Sequence, residues 1–247
     1  MLKEIVITIQ SWGEAHRFIS QHKLWKWVVI PGLIYTFLFI TAMYFFAKSA
    51  TAVIEYFTHI VHLSDWIQKF ENSFLGFLFT FTGIIFWLVL LLFYFSFFKY
   101  ICLIIGSPVF AYLSRKTEFI IEGNDHTPKW AEIKPEAARG IYIAMRNCGW
   151  QTIYLIGLIL LSLLPVIGWI MPLVVLVVEC YYYGFSMLDY GFARNKYTAE
   201  KSIQFIGRHK GLATGNGFLF YLMHVVIIFA PAYAIIAATL TVHKVKN

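Results

Sequence analysis

The stretch SLLPVIGWIMPLV, residues 162–174, holds two prolines, a glycine and no charge, and apolar residues flank it on both sides. Two architectures fit such a break. In one, the chain crosses a membrane through it as a kinked helix. In the other, it enters the membrane, turns and returns to the side it came from. The choice sets the topology of the whole chain.

Composition requires the membrane. Of 247 residues, 60% are hydrophobic and only 13% charged, with a mean hydropathy of +0.69. A soluble domain needs roughly 25% charged residues to cover its surface, and the apolar runs here exceed the length of a core strand. In this setting the net charge of +7 reports orientation. It suits anionic headgroups or an anionic solute rather than nucleic acid. Cys102, Cys148 and Cys180 lack the spacing of a disulfide framework or a metal site. The first apolar run begins at Val28 and is too long for the h-region of a cleaved signal, so it reads as a span.

The chain reads as one integral all-α membrane domain, residues 1–247. Residues 3–21 place Ile5, Ile9, Trp12 and Ile19 near one helical face, the pattern of an amphipathic helix in the headgroup layer. Residues 28–47 form a first span, 51–72 a second amphipathic segment, and 73–105 a second span ended by Gly106-Ser107-Pro108. A polar, basic region with the loop EGNDHTPKW follows. Two split apolar segments, 150–185 and 217–242, are interrupted by Pro165, Gly168 and Pro172 and by Pro231, with a basic stretch between them.

Charge decides between the architectures. Residues 189–216 carry Arg194, Lys196, Lys201, Arg208 and Lys210, and residues 99–149 are also rich in Lys and Arg. Single crossings would put these two basic regions on opposite sides of the membrane. The positive-inside rule puts both on the cytoplasmic face, with the more acidic 48–72 outside. Each split segment must therefore return to the side it entered from, leaving both termini cytoplasmic. Ala232–Val242 reaches only ~17 Å as a helix, against about 30 Å of hydrocarbon. Glu179 lies about 15 Å past Trp169. In a full crossing it would sit near the midplane, at a cost of roughly 3 kcal/mol; in a half-depth hairpin it reaches the interface or a basic partner. Two half-penetrating hairpins follow. Their turns need cover from protein or a wet pathway, because backbone groups cannot stay unpaired in lipid.

Three stretches carry a family resemblance: HKLWKWVVIPGLIY, IIGSPVFAYLSRKTE and MLDYGFARNKYTAEKSIQFIGRHKGLATGNG. In their order and spacing, from about Ser20 to Val242, the chain resembles the CysZ-type sulfate permease family, which is related to the etoposide-induced autophagy-linked membrane proteins. The resemblance implies two long transmembrane helices with two half-penetrating hairpins, a homo-oligomer in a bacterial inner membrane, contact with membrane lipids, and a small anion such as sulfate as the transported partner. In that family a Gly-Leu-Arg-Arg-like turn before the first span is associated with sulfate. Here Lys23-Leu24-Trp25-Lys26 stands at that turn. Lys26 keeps a charge but lacks the planar fork that grips an oxyanion through two parallel bonds.

The anion-binding candidates are therefore His22, Lys23, Leu24, Trp25 and Lys26, together with Arg208, His209 and Lys210 ahead of a helix N-terminus. For each group the alternative is an ordinary interfacial anchor. The pathway candidates are Pro165, Gly168, Glu179, His224 and Pro231. Glu55, His59, His62 and Asp65 fall on one helical face and could ligate a metal, or simply form a wet face. No cofactor is called for. Enzyme signatures such as HExxH, GxSxG and a P-loop are absent. The sequence thus expects an anion permease or channel; the alternative is a non-transporting scaffold that organises lipid.

Overall fold

The computed structural model describes residues 1–60, 74–124, 126–164, 166–193, 197–226 and 228–246, and among these every regular element is helical. The helices are α1 (Leu2–Gln21), α2 (Trp25–Ile60), α3 (Phe74–Ile121), α4 (Trp130–Ser162), α5 (Met171–Ala193), α6 (Ala199–Arg208), α7 (Lys210–Met223) and α8 (Ala230–Lys246). Short 3-10 turns, Gly168–Ile170 and His224–Val226, precede α5 and α8.

Two compact units form. The first gathers Met1–Phe37, Lys99–Gln151 and Val177–Asn247; the second gathers Leu38–Phe98 and Thr152–Leu176. In the first unit, α1, α7 and α8 pack on one another. Small residues let α5 and α7 approach closely. A Cβ on Gly217 would stand 1.8 Å from the Cys180 carbonyl oxygen, and one on Gly184 would stand 1.9 Å from that of Ala213. Such contacts bring backbones together where no hydrophobic gain favours one apolar partner over lipid. In the second unit, Val89, Leu155, Met171 and Val175 form a buried cluster. Phe46 packs on Trp87 and Tyr94, whose hydroxyl donates to the Ala42 carbonyl at 2.7 Å.

Several sequence expectations change here. The helix expected to stop at Gly106-Ser107-Pro108 runs on to Ile121, with Pro108 inside α3. Proline removes one backbone donor; the buried neighbours Ser107, Phe110 and Ala111 anchor the segment on either side of the gap. The first span and the start of the next amphipathic segment are one continuous helix, α2. The basic region after the loop is helical from Trp130. On α1, Thr8, Ser11, Trp12, Ala15 and Ile19 are buried, while Val6 and Ile9 are exposed. The protein-facing side of α1 thus mixes the small residues Thr8, Ser11 and Ala15 with the large Trp12 and Ile19.

Among the described residues, three helical stretches are long and apolar enough to cross a membrane: Trp25–Ser49, Gly76–Ile121 and Gly168–Ala193. The third includes the returning arm of the first split segment, so length does not confine that arm to half depth. The final arm is also longer than its apolar part suggests. Helix α8 has 17 residues and ends on His243, Lys244 and Lys246.

Candidate functional site

An enclosed polar cluster lies in the first unit, on residues from α3, α4, α5 and α7. The Lys99 ammonium contacts Glu179 Oε2, and the two side chains are 3% and 0% exposed. Lys99 Nζ also donates to Gln151 Oε1 at 2.9 Å and to the Glu179 carbonyl at 3.3 Å. Tyr100 donates its hydroxyl proton to the same Gln151 oxygen at 2.6 Å. With its oxygen taken by two donors, the amide must turn its NH2 toward Glu179, and Gln151 Nε2 lies 2.5 Å from Oε1. Tyr221 completes the set, donating to Glu179 Oε2 at 2.8 Å. Both carboxylate oxygens are satisfied, as a buried charge demands.

This changes the meaning of Glu179. It is inside protein and paired with Lys99, rather than emerging at an interface. A paired, enclosed carboxylate does not meet lipid, so its position along the helix no longer argues for a half-depth hairpin.

A second cluster in the same unit joins α4, α5 and α6. Arg139 grips Asp189 with two parallel bonds, Nε to Oδ2 at 3.0 Å and Nη2 to Oδ1 at 2.8 Å. The same guanidinium donates to Ser202 Oγ at 2.9 Å and to the Tyr197 carbonyl. Ser202 in turn donates to Asp189 at 2.5 Å. Nearby, Tyr190 donates to Ser107 Oγ at 2.9 Å and Ser107 to the Ala137 carbonyl at 2.7 Å. These bonds neutralise and orient the guanidinium and engage four of its five N–H donors.

The turn between α1 and α2 carries the first group of anion candidates. His22, Lys23 and Lys26 are exposed; Leu24 is buried, and its N–H donates to the Ile19 carbonyl at 3.0 Å. Trp25 meets His16 and Phe229 edge-on. Lys23 adopts φ +54°, the left-handed region that favours glycine. The Lys23 side chain thus sits on backbone that glycine adopts more readily.

The second group sits at the start of α7, and a carboxylate of the chain itself is already there. Glu4 Oε1 lies 2.9 Å from His209 Nδ1, and Glu4 Oε2 accepts the Gly211 N–H at 2.9 Å. Burial works against the Glu4 charge. The hydrogen bonds from His209 and Gly211, with the terminal ammonium, outweigh it and hold the carboxyl below its ordinary value. Arg208 and Lys210 are exposed beside it.

The pathway candidates are scattered. Pro165 lies outside the described residues. Gly168 is buried in the turn before α5, where a Cβ would meet the Ser162 carbonyl at 2.3 Å. His224 packs between Tyr35 and Phe220. Pro231 is buried in the first turn of α8, where its missing donor costs nothing. Of the metal candidates, His62 and Asp65 lie outside the described residues. Glu55 and His59 fall on α2.

Sequence reasoning missed Lys99, Gln151 and Tyr221 as partners of Glu179, and Arg139 with Asp189. The one available signal was Lys99 itself, a lone cation inside an otherwise apolar run. Its partner is 80 residues away along the chain.

Residues 11–237 match the family model described as "Sulfate transporter CysZ/Etoposide-induced protein 2.4". The chain is also similar to curated proteins named "Sulfate transporter CysZ". It is 28% identical to one from Pseudomonas fluorescens over 143 residues, 56% of this chain and 57% of that protein. It is 27% identical to one from Pseudomonas syringae pv. tomato over 185 residues, 71% of this chain and 72% of that protein. A protein from a second Pseudomonas fluorescens strain is 27% identical over 56% of each chain. The matched region thus spans little more than half of the two Pseudomonas fluorescens proteins.

Proposed function

Because the chain belongs to the Sulfate transporter CysZ/Etoposide-induced protein 2.4 family, we propose that it is an inner-membrane permease or channel for a small inorganic anion, with sulfate as the expected substrate. The family match over residues 11–237 is the observation that carries this reading. The three helices long and apolar enough to span support the membrane setting. In this reading the basic segments face the cytoplasm, as do both termini, and copies of the chain associate.

Exposed Lys23, Lys26, Arg208 and Lys210 draw an anion toward the cytoplasmic mouth. The 3-10 turns Gly168–Ile170 and His224–Val226 supply polar backbone that a permeating ion can meet. Lysine in place of arginine at the first turn provides point charge without bidentate recognition, so selection among oxyanions at that turn is coarse.

Purified protein in liposomes tests the proposal. Sulfate flux should exceed that of empty liposomes and fall when Lys23 and Lys26 are both changed to Gln. Flux with halides or phosphate but not sulfate would move the substrate. No flux of any anion through folded protein would favour a second reading, a non-transporting protein that organises lipid. The exposed Leu2, Val6 and Ile9 of α1 support that second reading.

A further inference from the structure

The polar cluster around Glu179 has the donor arrangement of an anion site. Three donors reach one carboxylate from three different helices: Lys99 Nζ from α3, Gln151 Nε2 from α4 and Tyr221 OH from α7. Tyr100 holds the Gln151 amide in the orientation that points its NH2 at the carboxylate. The donors are therefore placed by elements other than the one carrying the acceptor. Take away the Glu179 carboxyl group and the donors still converge, around an ammonium with no compensating charge.

A buried cation without a counter-charge is strongly unfavourable. The vacancy left by a carboxyl group matches a halide or a two-oxygen carboxylate in size and charge. Charge balance limits the choice further. The cluster brings one cation, Lys99, to the carboxylate, and one negative charge neutralises it. A divalent oxyanion would leave one charge uncompensated in a nearly water-free setting.

We propose that Lys99, Gln151 and Tyr221 form an internal binding site for a small monovalent anion, and that the Glu179 carboxylate is its tethered occupant. With the Glu179 carboxylate in place the site is filled, and a free anion binds there only when that carboxyl group is removed. The inference goes beyond the transport reading and does not depend on which ion is transported, because its test measures binding.

The test uses the full chain in detergent with potassium gluconate as the background salt. Bromide, formate and sulfate are titrated against the wild type, Glu179→Ala and the double variant Lys99→Gln/Glu179→Ala, with the thermal midpoint as readout. Saturable rises of several degrees with bromide and formate are expected for Glu179→Ala. Sulfate should give none, and neither the wild type nor the double variant should respond. No response in Glu179→Ala, or an equal response in the double variant, overturns the proposal. If Glu179→Ala does not fold in gluconate, it is purified in bromide or formate. Recovery of monodisperse protein there, but not in sulfate, supports the site; recovery in none of them overturns it. A failure of sulfate flux in liposomes would leave these results unchanged, so the two readings fail separately.

Discussion

The Lys99 ammonium lies against the Glu179 carboxylate with both side chains shut away from solvent, although 80 positions separate them in the chain. The pair connects α3 to α5 and, through Gln151 and Tyr221, to α4 and α7. Removing one member of such a pair leaves the other charge buried and uncompensated, which costs about 3–5 kcal/mol. Replacing both by neutral groups of similar volume costs far less. Lys99→Met alone should therefore destabilise the protein by about that amount. Lys99→Met/Glu179→Gln should recover most of the loss in a double-mutant cycle followed by denaturation. Additive losses would mean the two charges do not compensate each other.

Backbone approach between α5 and α7 makes the second prediction. Gly217→Ala forces a Cβ to 1.8 Å from the Cys180 carbonyl oxygen, so helices must move apart. The expected loss is about 3 kcal/mol. Gly13 lies mid-helix in α1 with nothing within 4 Å of a Cβ. Gly13→Ala should instead stabilise by roughly 0.5–1 kcal/mol. Comparison of the two midpoints checks the pair, and a neutral Gly217→Ala would disprove the close contact.

Lys23 holds a left-handed backbone without being glycine. Lys23→Gly should relieve that strain and stabilise the folded protein by roughly 0.5–1 kcal/mol, whereas Lys23→Ala should gain nothing. A loss of stability in the glycine variant would show that the lysine side chain makes a favourable contact larger than the strain. Flux measured on the same variants separates the role of the charge from that of the backbone.

Glu4 links α1 to the start of α7, and its folded carboxyl titrates below the ordinary value of 4.5. A depressed carboxyl contributes stability that is complete above the unfolded value and is lost as pH falls through the folded one. Glu4→Gln should lower stability by about 1 kcal/mol at pH 7. The gap from wild type should hold down to about pH 5 and close at lower pH. Thermal midpoints of the two proteins across pH 3–8 check this; a gap that widens in acid would contradict the direction of the shift.

The hydrophobic runs, the basic segments and the helix-breaking residues are local properties, and the membrane class, the helical architecture and most helix positions follow from them. The prolines show where the limit lies. Pro231 does mark a helix start, whereas Pro108 sits inside α3, because buried neighbours hold a helix across a missing donor. On α1, periodicity placed Ile5, Ile9, Trp12 and Ile19 on one face in the headgroup layer, whereas the structure buries Trp12 and Ile19 against protein and leaves Ile9 exposed. An apolar side chain can face lipid or protein, so hydrophobic periodicity alone does not separate the two sides of α1.

The candidate site divides in the same way. The sequence by itself determined that the chain is a helical membrane protein with cationic ends to its apolar segments, because apolar length and charge are counted residue by residue. It also carried the family resemblance that the match over residues 11–237 establishes. Only the tertiary structure decided that Glu179 is neutralised by Lys99, that Arg139 is committed to Asp189, and that Glu4 stands at the α7 N-terminus. Those pairings join groups from helices far apart in the chain. A buried charge selects its partner by distance in three dimensions, and that distance exists only once the helices have packed.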